Sequence, residues 1–205
     1  MKIEATFDYE KVLWQDGARQ IAGIDEVGRG AWAGPVVAAA VIFPSMFEPH
    51  FKIFDSKLLL PHAREELAKK IRAVGKIGIG VVQVPTIDKI GIGNATQKAF
   101  KYAVKNLVVN CDRYLIDAFY IKNWPRDIQI ALKSGDKYCA SIAAASVVGK
   151  VYRDNLMKRL ATRFPMYELH RHKGYGTKAH QQAIAHYKLS KIHRKSFNLS
   201  AYLNG

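Results

Sequence analysis

Four acidic residues have the types and positions expected for chemistry on a bound cation. Asp25 and Glu26 stand where the apolar stretch RQIAGID gives way to a glycine-rich turn. Asp117 lies within YLIDAFYI, a segment suited to a sheet interior, where an unpaired carboxylate is costly. Asp136 follows a glycine in KSGD, and an ordinary acidic residue near a helix N-terminus explains it equally well.

Together the four acids indicate a divalent-metal site, because Mg²⁺ prefers carboxylate oxygens as ligands. Two such ions about 4 Å apart could activate a water and stabilise the leaving oxygen in phosphodiester hydrolysis. Spacing along the chain does not show that the four side chains meet. Strand alternation adds a difficulty: if Asp25 faces the site, Glu26 faces away unless the strand ends or bends at the glycine turn.

The charge of the chain indicates a polyanionic partner. Its 205 residues include 32 Lys and Arg against 17 Asp and Glu, which gives a formal net charge of +15 and a pI near 9.8. A solvated basic surface without a partner would have the same composition, so a nucleic acid is favoured but not required. With 49% hydrophobic residues the chain can bury a sizeable core, and we expect one catalytic domain over 1–205.

Cysteine usage and hydropathy point to the cytoplasm. Cys111 and Cys139 lack partners at metal-ligand spacing, so we interpret them as reduced packing residues. The N-terminal residues do not resemble a signal peptide, and no run of about eighteen apolar residues occurs. We therefore expect a cytoplasmic protein with no membrane association, and nothing in the sequence suggests more than a monomer.

Strands and helices alternate along the chain, which predicts an α/β fold with a mixed sheet. RQIAGID, VVAAAVIF, IGIGVVQV, YLIDAFYI and IQIAL have strand character, and HAREELAKKIRAV and NATQKAFKYAVKNLVV have helical spacing. A long helix is predicted from about Tyr138 to Pro165, with small residues that let it approach a sheet closely. A basic loop, HRHKGYGTKAH, then leads to a short helix and a basic tail.

Six segments occur in the order and approximate spacing of one known family. They are GIDEVGRGAWAGPVVAAAVIF, DSK, LIDAFYI, SGDKYCASIAAASVVGKVYRD, HKGYGT and HRKSF. From about residue 20 to 198 the chain resembles bacterial ribonuclease HII. The resemblance implies a ribonuclease H-like fold: a mixed central β-sheet flanked by helices, with a short, basic, helical C-terminal part. It also implies that Asp25, Glu26, Asp117 and Asp136 form a catalytic site for Mn²⁺ or Mg²⁺.

The same resemblance implies a substrate and its contacts. The family cleaves on the 5′ side of a ribonucleotide, in RNA/DNA hybrids or within duplex DNA, and leaves 3′-hydroxyl and 5′-phosphate ends. The expected nucleic-acid contacts are the loop Gly28, Arg29 and Gly30 at the 2′-hydroxyl, Tyr175 at the next sugar and Lys57 at a phosphate. A 2′-hydroxyl is what distinguishes RNA from DNA at a site, and glycines let backbone donors approach it. The loop sequence also favours type II over ribonuclease HIII.

Two positions depart from the family pattern, and a third matches it without a catalytic role. Gly91 stands where the family often has asparagine, and Leu58 stands where it usually has lysine. Both departures concern contacts with the DNA strand and leave the acids untouched. Asp154 also matches a family position, but we expect a structural role for it on the long helix.

Other classes of protein explain the residues less well. Gly28, Gly30 and Gly34 form G-x-G-x-x-x-G rather than a dinucleotide-binding G-x-G-x-x-G, and two acids would face the pyrophosphate. A non-catalytic nucleic-acid binder accounts for the charge but not for Asp117, because phosphate binding gains nothing from buried acids. A nuclease of this fold without ribonucleotide preference remains an alternative enzyme.

A zinc site is the remaining alternative. The histidines in question are His170, His172, His180, His186 and His193. No cysteine pair accompanies them, and lysine or arginine lies beside several. We interpret them instead as part of the basic binding surface.

Overall fold

A mixed five-stranded sheet organises the protein, whose computed structural model describes residues 3–203. The strands are β1 (Glu4–Ala5), β2 (Ile21–Val27), β3 (Val36–Ile42), β4 (Ile53–Phe54), β5 (Lys76–Val82), β6 (Arg113–Asp117) and β7 (Gln129–Leu132). The α-helices are α1 (Asp8–Gln15), α2 (Pro61–Val74), α3 (Val84–Lys105), α4 (Gly135–Tyr138), α5 (Ala140–Arg163), α6 (Leu169–His172) and α7 (Lys178–Tyr187). The order of the sheet is β5-β3-β2-β6-β7, with β1 and β4 forming a separate pair.

The sheet mixes two kinds of pairing. β3 pairs antiparallel with β2 and β5, whereas β2–β6 and β6–β7 are parallel. Helix α5 packs on one face and α3 on the other, so every residue of β3 is buried. This arrangement confirms the predicted α/β class and the mixed sheet flanked by helices.

Small residues bring α5 close to the sheet, as predicted. A Cβ added at Gly23 of β2 would lie 2.1 Å from the carbonyl carbon of Ser141, so only glycine allows this approach. The predicted start near Tyr138 is wrong in detail. The backbone is extended at Cys139, which separates α4 from α5.

Helix α3 is longer than predicted and is interrupted at Gly91. The sequence predicted a helix from Asn94, but α3 begins at Val84, and Pro85 lies in its first turn, where proline is tolerated. Gly91 has φ 76° and ψ 156°, a conformation open to glycine but strained for other residues. The Gly91 departure therefore coincides with a break in the helix.

The C-terminal part holds a buried histidine pair, which contradicts one sequence interpretation. His180 Nε2 and His193 Nε2 are 3.1 Å apart, and both side chains are fully buried. Burial lowers the pKa of each imidazole to about 4. Because both rings are neutral at pH 7, the interpretation of these two as part of a basic binding surface is wrong; His170 and His186 are exposed.

Two smaller observations bear on the cysteines and on membranes. Cys139 is buried and Cys111 is half-buried, and both are free thiols. Cys139 Sγ lies 3.2 Å from Glu10 Oε1 within the core, which agrees with a packing role. Among residues 3–203, no helix combines the length and the apolar character needed to span a membrane.

The close packing of α3 on β5 can be tested with a glycine substitution. A Cβ at Gly80 would lie 2.0 Å from Ala99 O and 2.6 Å from Ala103 N, and backbone atoms cannot move away cheaply. We expect Gly80→Ala to lower the free energy of unfolding by about 1–3 kcal/mol, as overpacking does. Urea denaturation followed by circular dichroism measures the change.

Gly93→Ala is the matched control, because a Cβ at this position in α3 meets no atom within 4 Å. Alanine in a helix should leave stability unchanged or raise it by about 0.5–1 kcal/mol. Equal stability of the two variants would show that α3 does not pack against β5 as closely as described.

Candidate acidic active site

Two of the four predicted acids lie side by side on neighbouring strands. β2 and β6 are parallel with Ile24 opposite Ile116, so Asp25 and Asp117 follow at the same level. Both belong to the sheet face covered by α5, where the nearby Ser146 hydroxyl acts to lower the pKa of Asp25, against the larger effect of burial. The strand register therefore brings together residues 92 positions apart in sequence.

Asp117 is the last residue of β6, not a residue in its interior. Ala118 has φ 58°, and Phe119 N donates to Asp117 O at 2.7 Å, so the chain turns immediately after Asp117. The predicted strand through Phe119 and Tyr120 is wrong on this point. Because the strand ends here, the Asp117 carboxylate lies at the carboxyl end of β6 and is half-buried rather than enclosed in the sheet.

Glu26 lies at the same end of the sheet as Asp25 and Asp117, but on the opposite face of β2. The strand continues past both acids to Val27, so no strand end turns them to the same side, and alternation sends Asp25 and Glu26 to different faces. The backbone amide of Glu26 donates to Asp25 Oδ1 at 2.7 Å. Glu26 remains close enough to Asp117 for their carboxylates to repel each other.

Asp136 joins the site from the start of α4. Ser134 adopts a left-handed conformation with φ 57°, and the next amide, Gly135 N, donates to Asp117 Oδ1 at 2.7 Å. Asp136 is buried, and the ammonium group of Lys57 lies 2.8 Å from its Oδ2. The turn between β7 and α4 thus places Asp136 beside Asp117.

The electrostatics of the site favour added positive charge. Burial raises the pKa of Asp25 well above its usual value, and the charges of Glu26 and Asp117 raise it further. Burial also raises the pKa of Glu26, and the positive charge of Arg29 partly opposes this shift. The pKa of Asp117 is raised by burial and by the negative charge of Asp136. Ionising these groups together is costly without a nearby cation.

The donor set fits divalent metal, although the carboxylates are not already gathered around a common point. Within residues 3–203, no three His, Cys, Asp or Glu side chains adopt a ready metal-holding arrangement. All four candidates nevertheless offer carboxylate oxygens, the ligands that Mg²⁺ and Mn²⁺ favour. Glu26 Oε2 is buried without a hydrogen-bond partner among the described residues, which leaves one such ligand unengaged.

The predicted substrate-contacting residues other than Lys57 lie on two linked loops, the first of which follows directly after the acids of β2. Gly28 has φ +87°, and a Cβ there would lie 2.0 Å from Arg153 Nε, so the loop requires glycine at this position. Arg29 lies 3.9 Å from Glu26 Oε1 and stacks on Phe119 at 4.6 Å. Gly30 is exposed at the tip of the loop.

Tyr175 belongs to the second loop, which is joined to the first by its backbone. Gly174 O accepts hydrogen bonds from Trp32 N at 2.8 Å and Ala33 N at 3.2 Å. The Tyr175 ring is half-buried beneath Lys150, whose ammonium lies 5.7 Å from the ring centroid. These contacts hold Tyr175 next to the Gly28–Gly30 loop.

Lys57 and Leu58 share a short 3₁₀ helix beside the acids. Lys57 is mostly exposed while it contacts Asp136, so its ammonium group can also meet a phosphate. Leu58 is 47% exposed, which leaves an apolar side chain on this surface. Asp154 forms ion pairs with Lys150 at 2.8 Å and Arg64 at 3.7 Å, contacts typical of the expected structural role.

Sequence reasoning missed three residues that shape this site. Ser146 lies near Asp25 and acts to lower its pKa, and Arg153 and Arg194 are fully buried behind the Gly28–Gly30 loop. Both arginines lie in segments that matched the family, KVYRD and HRKSF. Arginine side chains are usually exposed, and nothing in the spacing indicated that these two are buried.

Comparison with known proteins identifies the family of this chain from its sequence. The family model described as Ribonuclease HII matches residues 22–200. The ribonuclease HII of Herpetosiphon aurantiacus is 46% identical over 201 residues, covering 95% of this chain and 97% of that protein.

Two solved structures have the same fold at low sequence identity. The ribonuclease H2 from Pyrococcus horikoshii OT3 has a TM-score of 0.74 and 19% identity, covering 91% of this chain and all of that one. Bst-RNase HIII in complex with Mn²⁺ has a TM-score of 0.72 and 18% identity, and the match covers 92% of this chain and 70% of that one. Near-complete coverage by a close relative, with the matching fold, shows that the chain belongs to the ribonuclease HII family and is a ribonuclease H enzyme.

Proposed function

We propose that this protein hydrolyses the RNA strand of RNA/DNA hybrids and nicks duplex DNA on the 5′ side of embedded ribonucleotides. The products would carry 3′-hydroxyl and 5′-phosphate ends. Asp25, Glu26, Asp117 and Asp136 form the catalytic site and hold two divalent ions, Mg²⁺ or Mn²⁺, during the reaction. The main support is that four carboxylates lie near one another where β2 and β6 end, in a chain of net charge +15.

Each acid has a distinct place in this proposal. Asp25 and Asp117, adjacent on parallel strands, offer oxygens from one face, and Glu26 offers its unengaged Oε2 from the other. Asp136 contacts Lys57, which can exchange this carboxylate for a substrate phosphate. When bound, divalent ions supply positive charge at the reacting phosphate and make a water molecule more acidic. A solved relative in complex with Mn²⁺ supports this choice of ion.

Selectivity for a ribonucleotide belongs to the two linked loops. The backbone of Gly28, Arg29 and Gly30 can approach a 2′-hydroxyl closely because two of the three residues have no side chain. Tyr175 presents a ring that can pack on the neighbouring sugar. Basic residues around the acids hold the phosphates of the duplex, which positions the substrate without reading its sequence.

Cleavage of a labelled DNA duplex with one ribonucleotide tests the proposal most directly. Reactions contain Mg²⁺, Mn²⁺ or chelator, beside an all-DNA duplex of the same sequence. We expect a metal-dependent nick on the 5′ side of the ribonucleotide and no cutting of the control. Equal cutting of both duplexes would assign a general nuclease instead, and binding without cutting would favour a non-catalytic binder.

Asp117→Asn should lower the cleavage rate at least about a thousandfold, because the side-chain amide lacks the negative charge that binds a metal ion. Duplex affinity should stay within about twofold of the wild type, because the amide has the same shape as the carboxylate. Single-turnover rates and fluorescence anisotropy measure the two effects. The control is Asp112→Asn, at the opposite end of β6, where Asp112 Oδ2 accepts from Arg19 N and Gln20 N. Asp117 has no role in the reaction if Asp117→Asn cleaves as fast as Asp112→Asn.

Ion binding can be followed without any reaction. Mg²⁺ or Mn²⁺ at about 100 times its Kd should raise the melting temperature by about 5–10 °C, because the ion binds only the folded acids. Differential scanning fluorimetry of the wild type with and without chelator measures the shift. The shift should be smaller in Asp117→Asn and unchanged in Asp112→Asn. An equal shift in all three proteins would place the ion elsewhere.

A further inference from the structure

Two fully buried arginines lie behind the loops beside the acids. Neither Arg153 nor Arg194 is exposed to solvent. Among the residues that the structure describes, neither has an acidic side chain within salt-bridge distance. Burial, and then the charge of Arg153, lower the pKa of Arg194 to about 9. A buried charge without a counter-ion is costly, so its hydrogen bonds must be important to the local structure.

All the side-chain hydrogen bonds of Arg194 go to backbone carbonyls of one loop. Its Nη2 donates to Gly28 O at 2.7 Å, and its Nη1 donates to Arg29 O at 2.8 Å. Its Nε and Nη2 also donate to Gly34 O, at 3.1 and 3.0 Å. One guanidinium therefore holds the first two peptide groups of the Gly28–Gly30 loop from inside the protein.

Holding these carbonyls also orients two amides. A trans peptide group is planar, and its C=O and N–H point in opposite directions. Since Gly28 O and Arg29 O point inward at Arg194, the N–H groups of Arg29 and Gly30 point away from it, towards the loop surface. Neither amide donates a hydrogen bond to another residue that the structure describes. The loop thus presents two oriented and unused donors.

The segment that carries Arg194 is itself anchored. Arg194 N donates to Trp32 O at 2.8 Å. On the far side, Asp88 of α3 accepts from Lys195 N at 3.2 Å and from Ser196 N at 2.9 Å. The hydrogen bonds to Asp88 hold this segment from outside the loop, so the Arg194 guanidinium can fix the loop rather than follow it.

Arg153 holds the remainder of the same loop and ties it to the second one. It donates to Pro35 O at 3.0 Å, Ala33 O at 3.1 Å and Lys173 O at 3.0 Å. It makes no hydrogen bond to Gly28 or Arg29. The orientation of the two exposed amides thus depends on Arg194.

We propose that Arg194 is a positioning residue for ribonucleotide selectivity, because it aims the Arg29 and Gly30 amides at the 2′-hydroxyl. This inference rests on the proposed function, in which the Gly28–Gly30 loop contacts that hydroxyl. Arg194 touches neither substrate nor the acids. Its loss should weaken the preference for a ribonucleotide and leave general duplex affinity intact.

The test compares two affinities in a cleavage-deficient Asp117→Asn parent. Anisotropy gives Kd for a duplex with one ribonucleotide and for the all-DNA duplex, and their ratio is the selectivity. Arg194→Met should lower the selectivity about tenfold, which corresponds to losing one well-aligned hydrogen bond. The loss should appear in the ribonucleotide duplex, with Kd for all-DNA duplex unchanged. A merely structural role would weaken both affinities and leave their ratio intact.

Gln129→Met is the matched control. Gln129 is also buried, and its side chain holds a different loop by accepting from Ile121 N at 2.7 Å and donating to Pro125 O at 2.8 Å. We expect Gln129→Met to lose stability, with its selectivity unchanged. An equal drop in selectivity for both variants would overturn the role of Arg194.

Arg194→Lys keeps the test decisive if the methionine variant does not fold. One ammonium group cannot hold three carbonyls in the geometry of a guanidinium, so selectivity should still fall, by less than in Arg194→Met. Unchanged selectivity in the folded Arg194→Lys variant would contradict the proposed role of Arg194 and leave the proposed contact of the loop with the 2′-hydroxyl intact. Equal affinity of the Asp117→Asn parent for both duplexes would instead remove the loop's proposed contact, and the inference with it.

Discussion

The cost of burying several carboxylates close together is the constraint on which the rest of the site depends. Burial and neighbouring charge raise the pKa of Asp25 and Asp117, so the folded protein holds its acids together at a cost. The parallel ladder between β2 and β6 fixes their positions, and Gly135 N holds the Asp117 carboxylate. Dense packing of α5 against the sheet supplies the rigidity that keeps such groups from moving apart.

A second set of buried charges shapes the loops beside the acids. Arg153 and Arg194 are satisfied by carbonyls rather than carboxylates, and this matters for the acidic site. A carboxylate partner for either arginine would add negative charge close to acids that already repel. Carbonyls satisfy the guanidinium donors through dipoles without that penalty, so the loop backbone gains rigid support while the local excess of positive charge remains available to a polyanion.

The sequence predicted the fold class and most elements because apolar periodicity and small-residue patterns report directly on packing. It also selected the acids by type, since Asp117 has no ordinary reason to lie among sheet-forming residues. It did not predict that β6 ends at Asp117, because the left-handed turn at Ala118 has no glycine to mark it. The burial of His180 and Arg194 was equally hidden, since both depend on tertiary partners distant in sequence and their polar types usually indicate a surface.

Hydrolysis and substrate selection place different demands on a protein, and the two parts of this site reflect that difference. Carboxylates that gather cations act on any phosphodiester, because a phosphate is the same in RNA and DNA. Selection of a ribonucleotide requires a donor or acceptor at the one position where the sugars differ. Backbone amides suit this role because they cannot rotate independently of the chain, but they are only as well aimed as the loop is rigid. A flexible glycine loop therefore needs support from outside itself, and buried guanidinium groups that bind its carbonyls provide that support while leaving its outer surface free for substrate.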